Sequence, residues 1–382
     1  MYKAYKFRAF PNSKQIELIQ KTFGCTRFVY NYYLDKKKTL YEEKKESISC
    51  FDMIKDLKNL YMDYPFLKEV DSCSLRCALF NLDNAFQRFF KKNGEYPKFK
   101  GKYTSRRCYR TNYVKNTYKD KVYENIKLDL KRRVITLPKL QDVSIRGYRN
   151  LDYIPGRIIN VTVEQLSTGK YYVSVLVEEK DITTKTTPKK IVGIDLGVKD
   201  IVITSDHEKI HNPKYIEKYE KRIRRKQKEL ARKVKGSKNY YKTKKELAIL
   251  YQKLKNARKH FIHQITKKLV LENDIIVTED LKLEDMIKEK KLSKHLTNAS
   301  LGEICRVLEY KAKLYGKKYI KIDSYYPSSQ ECSVCGYKNE EVKKLSVRKW
   351  TCPKCGSYHD RDYNASYNIL FEGLKKYIKG LN

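Results

Sequence analysis

The sequence predicts an α/β plus β protein: a helical block, a strand-rich block, and an α/β block that carries a cysteine knuckle. Three observations predict it. From about residue 11 to 94 apolar residues recur at helical spacing; from 95 to 186 the period shortens to two; beyond a polar linker, short apolar runs alternate with long basic helices. At 382 residues the chain is long enough for two or three domains with cores of their own.

The opening MYKAYKFRAF alternates and is stopped by Pro11-Asn12-Ser13, so it reads as a strand leading into a helix capped at Asn12 or Ser13. Ile16, Leu18, Ile19, Phe23 and Phe28 mark the first helices. Leu75, Leu79, Leu82, Phe86 and Phe89 mark the last, which carries Arg76 and Arg88 and ends at Lys91-Lys92-Asn93-Gly94. Then YPKFKGKYTSRRCYRTNYV is basic and aromatic without helical period. The runs VITLP, VSIRGY, IINVTVEQL and KYYVSVLVEEK follow, the last two facing each other across Ser167-Thr168-Gly169 as a hairpin. A small β-barrel or β-sandwich is expected, a platform on which aromatics stack bases and lysines track phosphates. DITTKTTPKK at 181–190 is the linker.

After it, KKIVGIDLGVKDIVITSD reads as two strands joined by a tight turn at Gly197. Residues 214–235, with Arg222, Arg224 and Arg225 at their centre, hold eleven Lys or Arg against three Glu, a net of +8. So dense a basic helix suits phosphates better than a solvated face. It turns at Gly236-Ser237 into a helix with an apolar stripe from Leu247 to Leu269. NDIIVTEDL and KKYIKIDSYYP read as further strands, and a last helix runs from about Asp362 to Ile378.

Composition points to a polyanionic partner. Lys and Arg number 84 against 45 Asp and Glu, a net of +39, and 41% hydrophobic residues mark a folded chain rather than a basic tail. A lysine-rich surface drawn from an AT-rich genome is the competing reading, but that bias raises acidic residues as well. With no apolar run near ~20 residues and no signal peptide, a soluble intracellular protein without membrane contact is expected.

The most specific motif is Cys332-x2-Cys335, sixteen residues, then Cys352-x2-Cys355, each pair followed by glycine. Four thiolates at this spacing make a structural zinc ribbon with no open coordination position. Cys25, Cys50, Cys73, Cys77, Cys108 and Cys305 are scattered and read as small hydrophobes. Three acids stand where acids are costly. Asp195 falls within the apolar IVGIDLG, with Val192 and Ile194 on one face and Gly193 and Asp195 on the other; Glu279 ends IIVTE; Asp362 opens the last helix. Each has an ordinary alternative as turn, strand end or helix cap. As a set, they are the oxygen ligands a pair of hard divalent cations needs to hydrolyse a phosphodiester.

GIDLG, TEDL and SYYPSSQECSVCG…WTCPKCGSYHDRDYNASYNI are together similar to the RuvC-like half of TnpB (OrfB) proteins of bacterial insertion sequences, and YKFRAFPNSKQ and LDNAFQRFF resemble their N-terminal half. The resemblance implies an RNase H-like (RuvC) nuclease domain at 187–330 and 358–382, interrupted by a zinc ribbon at 331–357. It also implies a β-barrel wedge domain at 1–10 and 95–186, with a helical recognition domain inserted at 11–94. The implied activity is RNA-guided DNA cleavage, with a guide RNA from the transposon end, a double-stranded DNA target and kinship to type V CRISPR effectors. Asp195, Glu279 and Asp362 then hold catalytic Mg²⁺ (or Mn²⁺), Asp360 is a neighbour outside the set, and Arg361 contacts phosphate. The expected setting is a prokaryotic cytoplasm, acting at the nucleoid as a monomer. Ser366 stands where alanine is common in the family. The other readings are a nuclease-inactive RNA-guided DNA-binding regulator, against which the intact acids speak, and a transposase joining strands itself.

Overall fold

A computed structural model of the chain describes residues 1–118, 121–147, 152–180, 188–281, 300–344 and 346–380. It divides into two compact units, Met1–Lys180 and Asp181–Asn382. The linker expected at 181–190 begins at that division, and its first seven residues lie outside the described ones.

The first unit joins a sheet to a helical block. Strand β1 (Tyr2–Phe10) leads into α1 (Ser13–Lys44), a single 32-residue helix. Asn12 is its cap: the side chain accepts from Gln15 N while the Gln15 side chain accepts from Asn12 N, so two orphan amides are satisfied reciprocally. Helices α2 (Cys50–Asp63) and α3 (Ser72–Phe90) pack against α1 around Val29, Tyr33, Leu57, Leu75, Leu79 and Leu82. The aromatic stripe of α3 is divided, with Phe86 in the core and Phe90 exposed. The chain then adds β2 (Arg107–Asn112), the β3–β4 ribbon (Lys115–Tyr118, Lys121–Glu124), β5 (Lys127–Asp129), β6 (Val134–Leu137), β7 (Gln141–Arg146), β8 (Arg157–Gln165) and β9 (Tyr171–Glu178). Seven of these strands form one antiparallel sheet in the order β2-β8-β9-β1-β7-β6-β5. The strict alternation in YYVSVLVE drives Tyr171, Val173, Val175 and Val177 inward, where Tyr5 and Phe7 of β1 meet them. Tyr109 of β2 and Leu128 of β5, from opposite edges, join the same core.

The second unit is built on a five-stranded sheet of β10 (Ile191–Asp195), β11 (Asp200–Thr204), β12 (Lys209–His211), β13 (Ile275–Glu279) and β14 (Lys318–Ile322). Their order is β12-β11-β10-β13-β14; β10, β13 and β14 are parallel, and β11 is antiparallel to both of its neighbours. Of the parallel strands, the central β10 and β13 are buried, which is why they read as apolar runs, whereas β14 is a half-exposed edge strand. Val192, Ile194 and Ile276 face a core shared with α5 (Lys238–Glu272) and α6 (Leu301–Leu314); Ile275 and Val277 face Ile369 of α7 (Arg361–Lys379). The basic helix α4 (Tyr215–Ala231) folds back on α5 through Ile223, Leu250 and Leu254. The cysteine segment, with the short ribbon β15 (Lys349–Thr351) and β16 (Tyr358–Asp360), lies in sequence between β14 and α7. No helix of the described residues is long and apolar enough to cross a membrane.

Candidate active site and zinc centre

Asp195 is the last residue of β10 and Glu279 the last of β13. The parallel register pairs Ile194 with Thr278, so the two acids stand side by side at the carboxyl edge of the sheet. Asp362 is brought to them by α7. That helix crosses β10 so closely that a Cβ on Gly193 would lie 2.2 Å from the Ser366 carbonyl oxygen, and one on Gly373 would lie 2.3 Å from Val277. Glycine at 193 is therefore a condition of the approach. Ser366 is fully buried at the contact, its hydroxyl turned back onto the Tyr363 carbonyl at 2.7 Å. Position 366 is thus held small by the crossing.

The cap of α7 is Asp360, not Asp362. The Asp360 carboxylate accepts from the amides of Asp362 (3.0 Å) and Tyr363 (3.3 Å), and its other oxygen pairs with Lys209 at 2.9 Å. Burial works against that charge, but the Lys209 hydrogen bond and the cap amides hold its pKa below the ordinary value. With the cap filled by a neighbour, the Asp362 carboxylate is left to face the sheet edge, where Arg348 lies 3.5 Å away. Ser328 donates to Glu279 at 2.5 Å. This orients a carboxylate whose pKa burial has raised. Asp195 is the most perturbed acid: burial first, then the charges of Glu279 and Asp362, push it up to about 7. Glu279 and Asp362 thus raise the proton affinity of Asp195, so the cluster is an electrostatic sink for a cation, and hard oxygen donors suit Mg²⁺ or Mn²⁺.

Arg361, read as a phosphate contact, is turned inward. It is only 8% exposed, and it donates to the Lys344 carbonyl at 3.0 Å and lies 3.5 Å from Ser329, so it ties α7 to the cysteine segment. Arg76 and Arg88 on α3, and Arg222, Arg224 and Arg225 on α4, are exposed; Arg224 pairs with Glu220. Lys209, Arg348 and Ser328 carried no signal in the sequence, since each reaches an acid from a different element.

Cys332, Cys335, Cys352 and Cys355 lie with their sulfurs within 4.8 Å of one another, the only group of three or more candidate metal ligands so close among the described residues. Two of the edges are 3.7 Å (Cys332–Cys355) and 3.6 Å (Cys335–Cys352). A tetrahedron of about 2.3 Å Zn–S bonds has edges of about 3.8 Å, so the four thiols fit zinc. The two halves are near copies: Gly336 and Gly356 have φ of +72° and +73°, and each amide returns to the carbonyl of the first cysteine of its pair. The buried His359 places Nε2 3.1 Å from Cys332 Sγ and packs in a tilted arrangement against Trp350, an outer support that the cysteine spacing does not announce.

Comparison with known proteins agrees with this architecture. Residues 174–290 match a family described as "Probable transposase" (OrfB of IS605), residues 302–369 one described as "Cas12f1-like, TNB domain", and residues 1–46 a "Helix-turn-helix domain". The last stretch is here a strand and one long helix. A Streptomyces pristinaespiralis protein named "Putative RNA-guided DNA endonuclease" is 33% identical across 97% of this chain and 89% of its own length. The Escherichia coli K12 protein "Putative RNA-guided DNA endonuclease InsQ" is 29% identical across 97% and 92%. Among solved structures, a chain of the "Cas12f1-sgRNA-target DNA complex" shares the fold with a TM-score of 0.59 at 15% identity, covering 97% of this chain and 98% of that one.

Proposed function

The chain belongs to the TnpB (OrfB) family, and we propose that it is an RNA-guided DNA endonuclease whose Asp195, Glu279 and Asp362 hold two divalent cations, Mg²⁺ by preference, at the scissile phosphodiester. The observation that carries the reading is the convergence of the three acids from β10, β13 and α7 on one edge of the sheet. The third-second-first-fourth-fifth strand order, with the second strand reversed, supports an RNase H-like nuclease domain at 187–330 and 358–382, interrupted by a zinc ribbon at 331–357. The single core shared by both edges of the seven-stranded sheet supports a barrel-like wedge at 1–10 and 95–186, with the recognition helices inserted at 11–94.

When bound, the cations supply Lewis acidity at the phosphodiester. The chain's own residues do the positioning. Ser328 fixes the Glu279 carboxylate, Asp360 and Lys209 pin the start of α7, and Arg348 and Arg361 temper the negative charge around Asp362 and Asp195. The exposed Arg76, Arg88, Arg222, Arg224 and Arg225 grip nucleic-acid phosphates, and base pairing with a guide RNA from the transposon end selects the double-stranded target. Purifying the chain with the RNA it retains tests this. A defined RNA with a variable end, and Mg²⁺-dependent cutting of DNA matched to that end, are expected; random RNA, or cutting indifferent to the match, would overturn the reading.

A further inference from the structure

A cavity of about 150 Å³ opens in the first unit between α1, α3 and the segment 100–110. Its charged lining is wholly cationic: Arg27, Lys100, Lys102, Arg106, Arg107 and Arg110. Arg106 is engaged by Glu164, which it shares with Lys6. Among the described residues the other five have no carboxylate partner. The Nε of Arg110 is buried with no hydrogen-bond partner at all. Lys100 Nζ rests 3.5 Å from the centre of the Tyr30 ring, and burial holds its pKa down to about 8. The wall is built rather than incidental. Asn31 on α1 clasps the backbone of Lys100 from both sides, donating to its carbonyl at 3.0 Å and accepting from its amide at 2.8 Å.

Like charges gathered round a hollow repel, and a buried guanidinium N–H without an acceptor costs on the order of 1–3 kcal/mol. An anion inside relieves both. The volume far exceeds the ~10–15 Å³ that one water needs, yet falls below the ~300–1,000 Å³ of sites for cofactor-sized molecules. We infer that this cavity is an oxyanion subsite that takes a phosphodiester group of a nucleic-acid strand, with Arg110 and Arg27 as its hydrogen-bonding forks and Lys100 and Lys102 as its point charges. The choice of nucleic acid rests on the function proposed above, but not on the acid site, which lies in the other unit.

The test uses the full, zinc-loaded chain, freed of retained RNA and without added Mg²⁺, so that no cutting intervenes. Binding of a labelled 20-nucleotide RNA, of DNA of the same sequence and of inorganic phosphate is measured across a salt series for the unsubstituted chain, Arg110→Gln and Asn81→Asp. Asn81 lines the cavity from the exposed face of α3, so the near-isosteric aspartate adds a competing charge with little strain. An unchanged melting curve verifies its fold. The expected result is about tenfold weaker binding of at least one oligonucleotide, with the slope of log K against log salt reduced by roughly 0.7–0.9, the signature of one lost phosphate contact. The strand that responds identifies the source. Unchanged affinity and slope for both oligonucleotides in both variants would overturn the inference. So would a loss confined to inorganic phosphate, which would assign the cavity to the free ion. An unsubstituted chain that binds neither oligonucleotide would overturn this inference and the nucleic-acid reading together.

Discussion

The cysteine knuckle and the proposed acid site both offer donors that metals favour, yet they are assembled in opposite ways. The ribbon draws its four thiols from residues 332–355, on two near-identical knuckles. The acid site draws its three carboxylates from two strands and a helix, at positions 195, 279 and 362. The thiols already sit at tetrahedral spacing, with backbone amides of Val334, Cys335, Tyr337 and Ser357 turned toward sulfur. At the acid site, Glu279 and Asp362 instead raise the affinity of Asp195 for a proton. A closed site of this first kind is scaffold; an open one of the second keeps unspent electrostatic attraction for a cation, through which a substrate phosphate would be drawn. The two are joined mechanically, because Arg361 and Arg348 reach from one to the other.

The sharpest way to break the contrast is to open the ribbon. Cys352→Ser should lower the zinc content below one per chain by elemental analysis and cost several kcal/mol, since metal binding to a structural site is folding energy. DNA cutting should fall with it, because the ribbon supports the start of α7. Full zinc occupancy and full activity in this variant would remove the scaffold role.

A smaller effect separates the sites by pH. Asp195 has a folded-state pKa of about 7 against an unfolded value of 3.8, so the folded chain keeps a proton that the unfolded chain releases. Its contribution to stability is therefore whole below about pH 4, declines as pH rises through the interval to about 7, and stays low above it. The three-unit shift is discounted for solvent at the sheet edge to on the order of 2 kcal/mol. Asp195→Asn should remove the decline, making the variant more stable than the unsubstituted chain at pH 8 without added divalent cation. Urea denaturation at pH 5 and pH 8 reads this directly; parallel behaviour of the two proteins would show that the acids do not strain one another.

Much of this was legible in the sequence because the relevant physics is local. The period of two in YYVSVLVE, the stripe of α5, the paired cysteines with their glycines and the apolar runs ending at Asp195 and Glu279 all declare themselves within a few residues. Other features are tertiary. Nothing near Gly193 says that a helix some 170 residues later will lie against it. Asp360 and Asp362 are equally plausible caps until the backbone places the first outside the helix and the second within its first turn. Helix α6 passed unread, although Ile304, Val307, Leu308 and Ala312 give it a buried stripe. Arg361 looked like a surface cation because charge in a sequence carries no direction; its burial is decided by the Lys344 carbonyl it finds.

The central claim, that three distant acids form one cutting site while the acid beside them only caps a helix, is tested most directly by single-turnover cleavage of matched DNA. The unsubstituted chain, Asp195→Asn, Glu279→Gln, Asp362→Asn and Asp360→Asn are compared at saturating Mg²⁺, with DNA binding measured alongside. The first three substitutions should slow cutting about a thousandfold or more, roughly 4 kcal/mol of barrier, with binding unchanged. Asp360→Asn should keep the cap and cut within about tenfold of the unsubstituted rate. Full-rate cutting by any of the first three, or a loss at Asp360 as deep as theirs, would contradict the assignment.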